Sequence, residues 1–551
     1  MKPAAVVLAL ACVACGASRP PPVIPQPLAE AVPQHPVTRP SDDEPEPAPP
    51  AVLVPVLEQR TESSPLVTIR VAFHSGSADD PHGREGATNL AARVMVEGGT
   101  EAMTYEQLTR AMFPMAAHIA FDVDRDETVF VAQVHRDHLA AFYPIFRDVI
   151  LHPRMAEADF RRLRELTLSD LTQDLRGAND EDLGREYLQA LVYSDHPYGH
   201  PALGTERGLA TLDFEALRAH RTSVFCRARV LAGVAGGYPE TFAARLRADL
   251  GQLPASCPAA VALPTPVRPR GMHVSIIDRA AANSVAISIG FPITITRRDA
   301  DFPAVQFVTN YFGMHRQSSG VLYQLIREAR GLNYGDYAYA EHFDQEGGSR
   351  FSRPNVQRRQ QYASIWIRPV APIHAHFALR AAMRALTRML QNGIPAVEFE
   401  RTRTFLSGYV NLFLQNESTR LGFSLDDVWN ELIPADGGTG IPGTSSAGAA
   451  HPTGSYAEYP LRMRSAWTAL VPDATMATAR RHLTADDVWV AIVAPNAQSL
   501  ATAIGANTPS PIRYDTPKPA SVVAEDREIS AFRLNVRPAD VHVVPLADVF
   551  H

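Results

Sequence analysis

Two spacings of apolar residues alternate along this chain. Leu66–His74 (LVTIRVAFH) is rich in β-branched residues and predicts a strand, as does Val52–Leu57 ahead of it. In Gly86–Thr100 (GATNLAARVMVEGGT) the spacing becomes helical: Leu90, Val94 and, one position on, Met95 fall on one face. Gly98-Gly99 ends that helix, because glycine enters the left-handed region at little cost. Ser-Gly-Ser at 75–77 predicts the intervening turn. A strand pair follows within His118–Val134, then helices over 138–150 and 157–176 set apart by Pro153, a strand at Val230–Gly237 and a helix over 239–252.

The same order then returns. Val274–Ile277, Ser284–Phe291 and Tyr362–Arg368 predict strands, and Phe302–Phe312 and Phe377–Leu390 predict helices. Pro395–Leu414 predicts another helix, with proline in its first turn and Glu398 and Glu400 near its positive end. Gly437–Ser455, rich in Gly, Ser, Ala and Thr, predicts a loop, and residues 489–493 (WVAIV) a last strand. A repeated strand–helix–strand series implies a duplicated α+β unit, each copy a sheet packed with helices, over residues 51–265 and 266–505. Residues 506–551 form a tail. Its apolar stretch Val541–Pro545 suits either a strand docked back on the body or a partner contact.

Composition narrows the class. The 551 residues are 46% hydrophobic and 20% charged, as in a globular protein with sizeable cores. Net charge is -7 with no basic run, which argues against nucleic acid as a partner. Residues 1–15 (MKPAAVVLALACVAC) read as an export signal: Lys2 gives the positive start, and Ala4–Val13 is apolar but too short to span a bilayer. The run resembles a bacterial lipoprotein signal. Cys15 is the preferred lipidation site over Cys12, since Gly16 and a polar linker follow it directly; an ordinary cleaved signal is the alternative. Both readings export the chain; the preferred one places it in the bacterial envelope, with the membrane reached through a lipid anchor only. Residues 16–50 contain 12 prolines and predict an extended spacer. Outside the signal only Cys226 and Cys257 remain, as one disulfide or as two buried thiols.

Three stretches carry a family resemblance, spread over residues 51–505. Gly86–Thr100 is similar to the zinc helix of insulinase/pitrilysin-type metallopeptidases, G-L-A-H-x-x-E-H-x-x-x-x-G-T, with one extra residue before the closing Gly-Thr. HPYGHPALGT at 196–205 resembles a loop of the same family, and IREARGLNY at 326–334 resembles its second-domain signature R-x-x-R-G-L-x-Y. The resemblance implies two homologous α+β domains, each a mainly antiparallel sheet with helices, together forming half of a clamshell. It also implies where zinc chemistry would sit, and there the residues depart from the pattern. Asn89 stands at the first His, Ala92 at the general-base Glu and Arg93 at the second His. The third ligand, a Glu some 76 residues on, falls beside Asp170. One possible ligand does not make a zinc site. Other histidines, His82, His135, His138, His196 and His200, read as structural.

In two-chain members one subunit carries the zinc helix and the other an Arg–Tyr pair that holds the substrate. The matching residues here are Arg330 and Tyr334, both able to donate to a carbonyl oxygen. The expectation is a non-catalytic subunit with no cofactor of its own. Its partner would be a homologous chain with an intact His-x-x-Glu-His helix and the zinc, and its substrate an unfolded peptide or protein. The alternative is a catalytically dead lipoprotein that binds peptides or scaffolds. Cleavage by this chain alone is the least favoured.

Overall fold

The structure, a computed structural model, describes residues 54–345, 349–413, 416–432 and 459–551. The leader with Cys15, the 16–50 linker and the 437–455 loop lie outside the described residues. Strands β1 (Val56–Arg60), β2 (Leu66–Phe73), β3 (His118–Val123), β4 (Thr128–His135) and β5 (Val230–Gly236) form the first sheet, in the order β1-β5-β2-β4-β3. Only β1 and β5 pair in parallel. β2 lies in the middle and is buried on both faces: Val67, Ile69, Val71 and Phe73 on one face are at 0% exposure, and Thr68, Arg70 and Ala72 on the other are at 5% or less.

The second sheet comprises β6 (Met272–Asp278), β7 (Val285–Ile293), β8 (Asp336–Tyr339), β9 (Gln361–Val370), β10 (Val488–Ala494) and β11 (Val536–Pro545). Its order is β11-β6-β10-β7-β9-β8. The antiparallel pairs again outnumber the parallel ones, which are β11–β6 and β6–β10. Of the two readings of the tail's apolar stretch, the strand docked back on the body is the one seen. That stretch lies in β11, with Val541 opposite Val274, and the tail's end returns to the first half, where Glu206 N–H donates to the Phe550 carbonyl at 3.0 Å.

Each sheet borrows a helix from the other half. The helix Asp180–Val192 lies on β7 and β10, with Leu188 pressed against Gly290. The helix Glu417–Trp429 lies on β5, β2 and β1. A Cβ at Gly233 of β5 would stand 2.7 Å from Leu421 Cδ1, so the helix packs closely there and a larger residue would make the Leu421 side chain shift. The halves therefore interlock, and among the charged contacts between them Arg358–Asp124 is buried.

Candidate functional site

The helix Ala87–Glu97 is anchored at its start by Asp80, whose carboxylate accepts from the backbone N–H groups of Gly86 and Thr88, both at 2.7 Å. Burial pushes Asp80 up to about 7 against the pull of these hydrogen bonds. Asn89 is half-buried and Ala92 fully buried. The Arg93 guanidinium lies 2.6 Å from Asp170 Oδ2, 3.0 Å from Thr167 Oγ1 and 3.3 Å from Glu97 Oε2. Burial opposes the Arg93 charge, but the two carboxylates outweigh it and raise its pKa above the ordinary arginine value. Asp170 opens a π-helical turn, Asp170–Leu175, that continues the helix Glu157–Ser169.

This donor set does not fit zinc. Arg93 has no lone pair to give, Ala92 has no donor atom, and Asp170 is occupied by the guanidinium. Among the described residues no group of three or more His, Cys, Asp or Glu side chains is arranged to hold a metal ion. A fixed cation on the chain now lies between two helices at the metal-helix positions, neutralised by Asp170 and Glu97.

The second motif is built differently from the expectation. Arg330 is 3% exposed and faces inward. Its guanidinium lies 2.8 Å from Asp526 and 3.0 Å from Glu525, and donates to the Leu325 carbonyl at 2.7 Å. Tyr334 is 79% exposed, so Arg330 and Tyr334 do not converge on one point. Arg327 stands beside Tyr334 instead, with its guanidinium 5.8 Å from the Tyr334 ring centroid and 4.7 Å from that of Tyr323, whose hydroxyl it also contacts. The signal was available in the spacing. Leu322, Ile326 and Arg330 recur every four residues, and the first two are at 0% exposure, so Arg330 falls on the buried stripe and Arg327 off it. Gly331, at φ +70°, ends the helical stretch and turns the chain outward towards Tyr334.

Behind Tyr334 lies Asp336, with 0% exposure. Burial pushes its carboxyl up to about 8, although the Asn333 amide and the Arg368 backbone N–H pull it down; Oδ2 has no partner among the described residues. The folded pKa exceeds the unfolded one. The stabilisation is therefore full below about pH 4 and is lost as pH rises towards 8. Asp336→Asn is expected to be more stable than the native chain at pH 8.5, by on the order of 2–4 kcal/mol, and nearly equal at pH 4. Melting temperatures at the two pH values test this; a difference independent of pH refutes it.

The halves meet at a buried charged turn. Asp124, Arg125, Asp126 and Glu127, between β3 and β4, are each 7% exposed or less. Arg358 binds both Asp124 oxygens at 2.6 Å and donates to Gln189 at 2.7 Å. Arg359 donates to Asp126 at 2.8 Å. The 196–205 loop supports this turn: Tyr198 O–H donates to Asp126, and His196 Nε2 lies 2.8 Å from Gln360. Beside it a cavity of 320 Å³ is walled by Asp124, Asp182, Glu186, His342, Asp344 and Trp366 among others. Burial and Arg358 hold His342 down at about 3, so its imidazole is neutral; burial and Asp124 raise Asp344 to about 6. Cys226 and Cys257 are joined as a disulfide.

Comparison with known proteins places these features. Residues 55–206 match the family described as Insulinase (Peptidase family M16). The uncharacterized zinc protease YmxG of Bacillus subtilis is 20% identical over 379 residues, covering 66% of this chain and 86% of its own. The mitochondrial-processing peptidase subunit beta of Bos taurus is 24% identical over 183 residues, covering 33% of this chain and 37% of its own. Among solved structures, the peptidase M16 inactive domain from Pseudomonas fluorescens superposes with TM-score 0.66 at 17% identity, over 80% of this chain and 96% of that one. Pitrilysin superposes with TM-score 0.58 at 14% identity, over 88% of this chain and 48% of its own.

Proposed function

The chain is a member of the insulinase-type peptidase family, and on that premise we propose that it is the non-catalytic subunit of a two-chain zinc peptidase of the bacterial envelope. A homologous partner with an intact His-x-x-Glu-His helix supplies the zinc and the general base. This chain supplies half of the substrate chamber. Arg327 and Tyr334 supply two donors, a guanidinium and a phenol, that hold the substrate carbonyl while the partner cuts. One observation carries the reading: the exposed Tyr334 with Arg327 at its ring, in a chain whose metal-helix positions are closed by the Arg93–Asp170 pair. The Cys226–Cys257 disulfide and the 1–15 leader support export, with Cys15 carrying the lipid anchor.

Gentle purification of the tagged chain from its native membranes is expected to bring down such a partner in equal amount. In that complex Arg327→Ala is expected to lower kcat/KM about 100-fold while the partner still co-purifies. Recovery of this chain alone, or an Arg327→Ala complex of undiminished activity, overturns the reading. The first of those results leaves a peptide-binding or scaffolding lipoprotein.

A further inference from the structure

The linker between the halves borders a second cavity, of 360 Å³, on the side of the β7 end. Thr265 and Arg268 of the linker, Thr294 and Thr296 after β7, and Arg359 and Arg481 line it. Every charged side chain on its wall is an arginine. Two of the three are compensated from behind. Arg359 is paired with Asp126, and Arg481 shares the single Asp301 carboxylate with His482, at 2.9 and 2.8 Å. Arg268 is not compensated. Its Nη2 donates to the carbonyl oxygens of Pro292 and His482, both at 3.1 Å, and among the described residues no carboxylate lies within ion-pair distance of it. Burial accordingly pushes the Arg268 guanidinium below the ordinary arginine value, only partly offset by the more distant Asp487.

The position of Arg268 is fixed as well as its charge. The guanidinium sits 5.3 Å from the Phe291 ring centroid, and the two carbonyls hold one edge of the fork. A half-buried cation without a counter-ion, next to two further guanidinium groups and to Thr265 and Thr294, is what an anion with several acceptor oxygens requires; the third threonine, Thr296, already donates its hydroxyl to Asp299 at 3.2 Å.

We propose that this cavity binds a small oxyanion of the phosphate class, with Arg268 as the principal contact and Arg359 and Arg481 at its rim. Phosphate has acceptor oxygens enough for more than one guanidinium, and the volume leaves room for an ester group. The bound anion would join the linker, the second sheet and, through Arg359 and Asp126, the charged turn of the first half. It would therefore stabilise the junction between the halves by mass action.

Inorganic phosphate and phenyl phosphate, each titrated at ionic strength matched with chloride, separate free phosphate from a monoester as the source. Phosphate is expected to raise the melting temperature saturably, and calorimetric titration to give a binding isotherm. Arg268→Gln is expected to weaken binding at least tenfold. Arg481→Gln, a change at a side chain 57% exposed, is expected to weaken it several-fold without disturbing the fold. A preference for phenyl phosphate over phosphate makes an esterified phosphate the ligand; equal binding makes it free phosphate. A rise in melting temperature that chloride reproduces overturns the proposal, and so does an isotherm that both variants leave unchanged.

Discussion

Replacing Arg358 by methionine is expected to cost about 3–5 kcal/mol of unfolding free energy, because it strands a buried carboxylate. Asp124 is 7% exposed, and both of its oxygens lie 2.6 Å from the Arg358 guanidinium. Burial alone would raise the Asp124 pKa, but the Arg358 guanidinium, as charge and as hydrogen-bond donor, holds it well below the usual carboxylate range. Without Arg358 the carboxyl must ionise unpaired or take up a proton. The stabilisation from Asp124 is present above the ordinary aspartate pKa and lost as pH falls below about 4, so the gap between native and variant should close in acid. Adding Asp124→Asn to Arg358→Met should recover more than half of the loss, since it removes the stranded charge. Urea midpoints of the native chain, both single variants and the double variant test this. A loss below 1 kcal/mol for Arg358→Met would mean that the pair does not hold the halves together.

This turn also shows where the sequence stops being readable. Asp-Arg-Asp-Glu between two strands has the composition of a solvated hairpin turn, and charged residues are seldom fully buried unless paired. Its partners, Arg358 and Arg359, lie more than 230 residues further along the chain. No local periodicity can announce a pairing of that range. The central strands were legible because β2, β7 and β10 carry their β-branched runs locally, and the 87–97 helix because its apolar stripe and its glycine stop are adjacent in sequence. Helices 180–192 and 417–429 were not, because each packs on the opposite half, and the rich acidic start of the first masks its apolar face. β11 was half-legible: its apolar stretch stood out, but its parallel partner, β6, lies far back in the chain.

The metal-helix positions were legible in full at the level of residue type. Asn89, Ala92 and Arg93 could be identified as poor ligands from their chemistry alone. What the sequence could not supply was the direction of each side chain. Arg93 and Asp170 stood 77 residues apart as two departures from a pattern, and the fold joins them into one ion pair. The opposite happened at the second motif, where Arg330 and Tyr334 stood close in sequence and the fold buries the first and exposes the second.

That division of labour yields the other large expected effect. Arg330→Ala is expected to destabilise the chain by about 3–5 kcal/mol, whereas Arg327→Ala changes its stability by less than about 0.5 kcal/mol. The Arg330 side chain is at 0% exposure, and its loss leaves Asp526 facing a void without a cation, while Glu525 keeps only Arg384. Both acids belong to the helix Ala520–Ala531, which Arg384 also grips through Glu525 and Glu528. Tyr514 O–H donates to the second Asp526 oxygen at 2.9 Å, so one carboxylate ties the C-terminal segment to the base of the Arg–Tyr stretch. Removing Arg330 should therefore loosen residues 520–531 and 323–334 together, and amide hydrogen exchange should rise in both. Asp526→Asn combined with Arg330→Ala should be less damaging than Arg330→Ala alone, because the unpaired charge goes with it. If Arg330→Ala instead leaves the melting temperature unchanged and abolishes activity of the assembled peptidase, Arg330 acts on the substrate and the assignment to Arg327 fails. If it melts early while Arg327→Ala folds normally and is inactive in the complex, the inner arginine holds the motif and the outer one uses it.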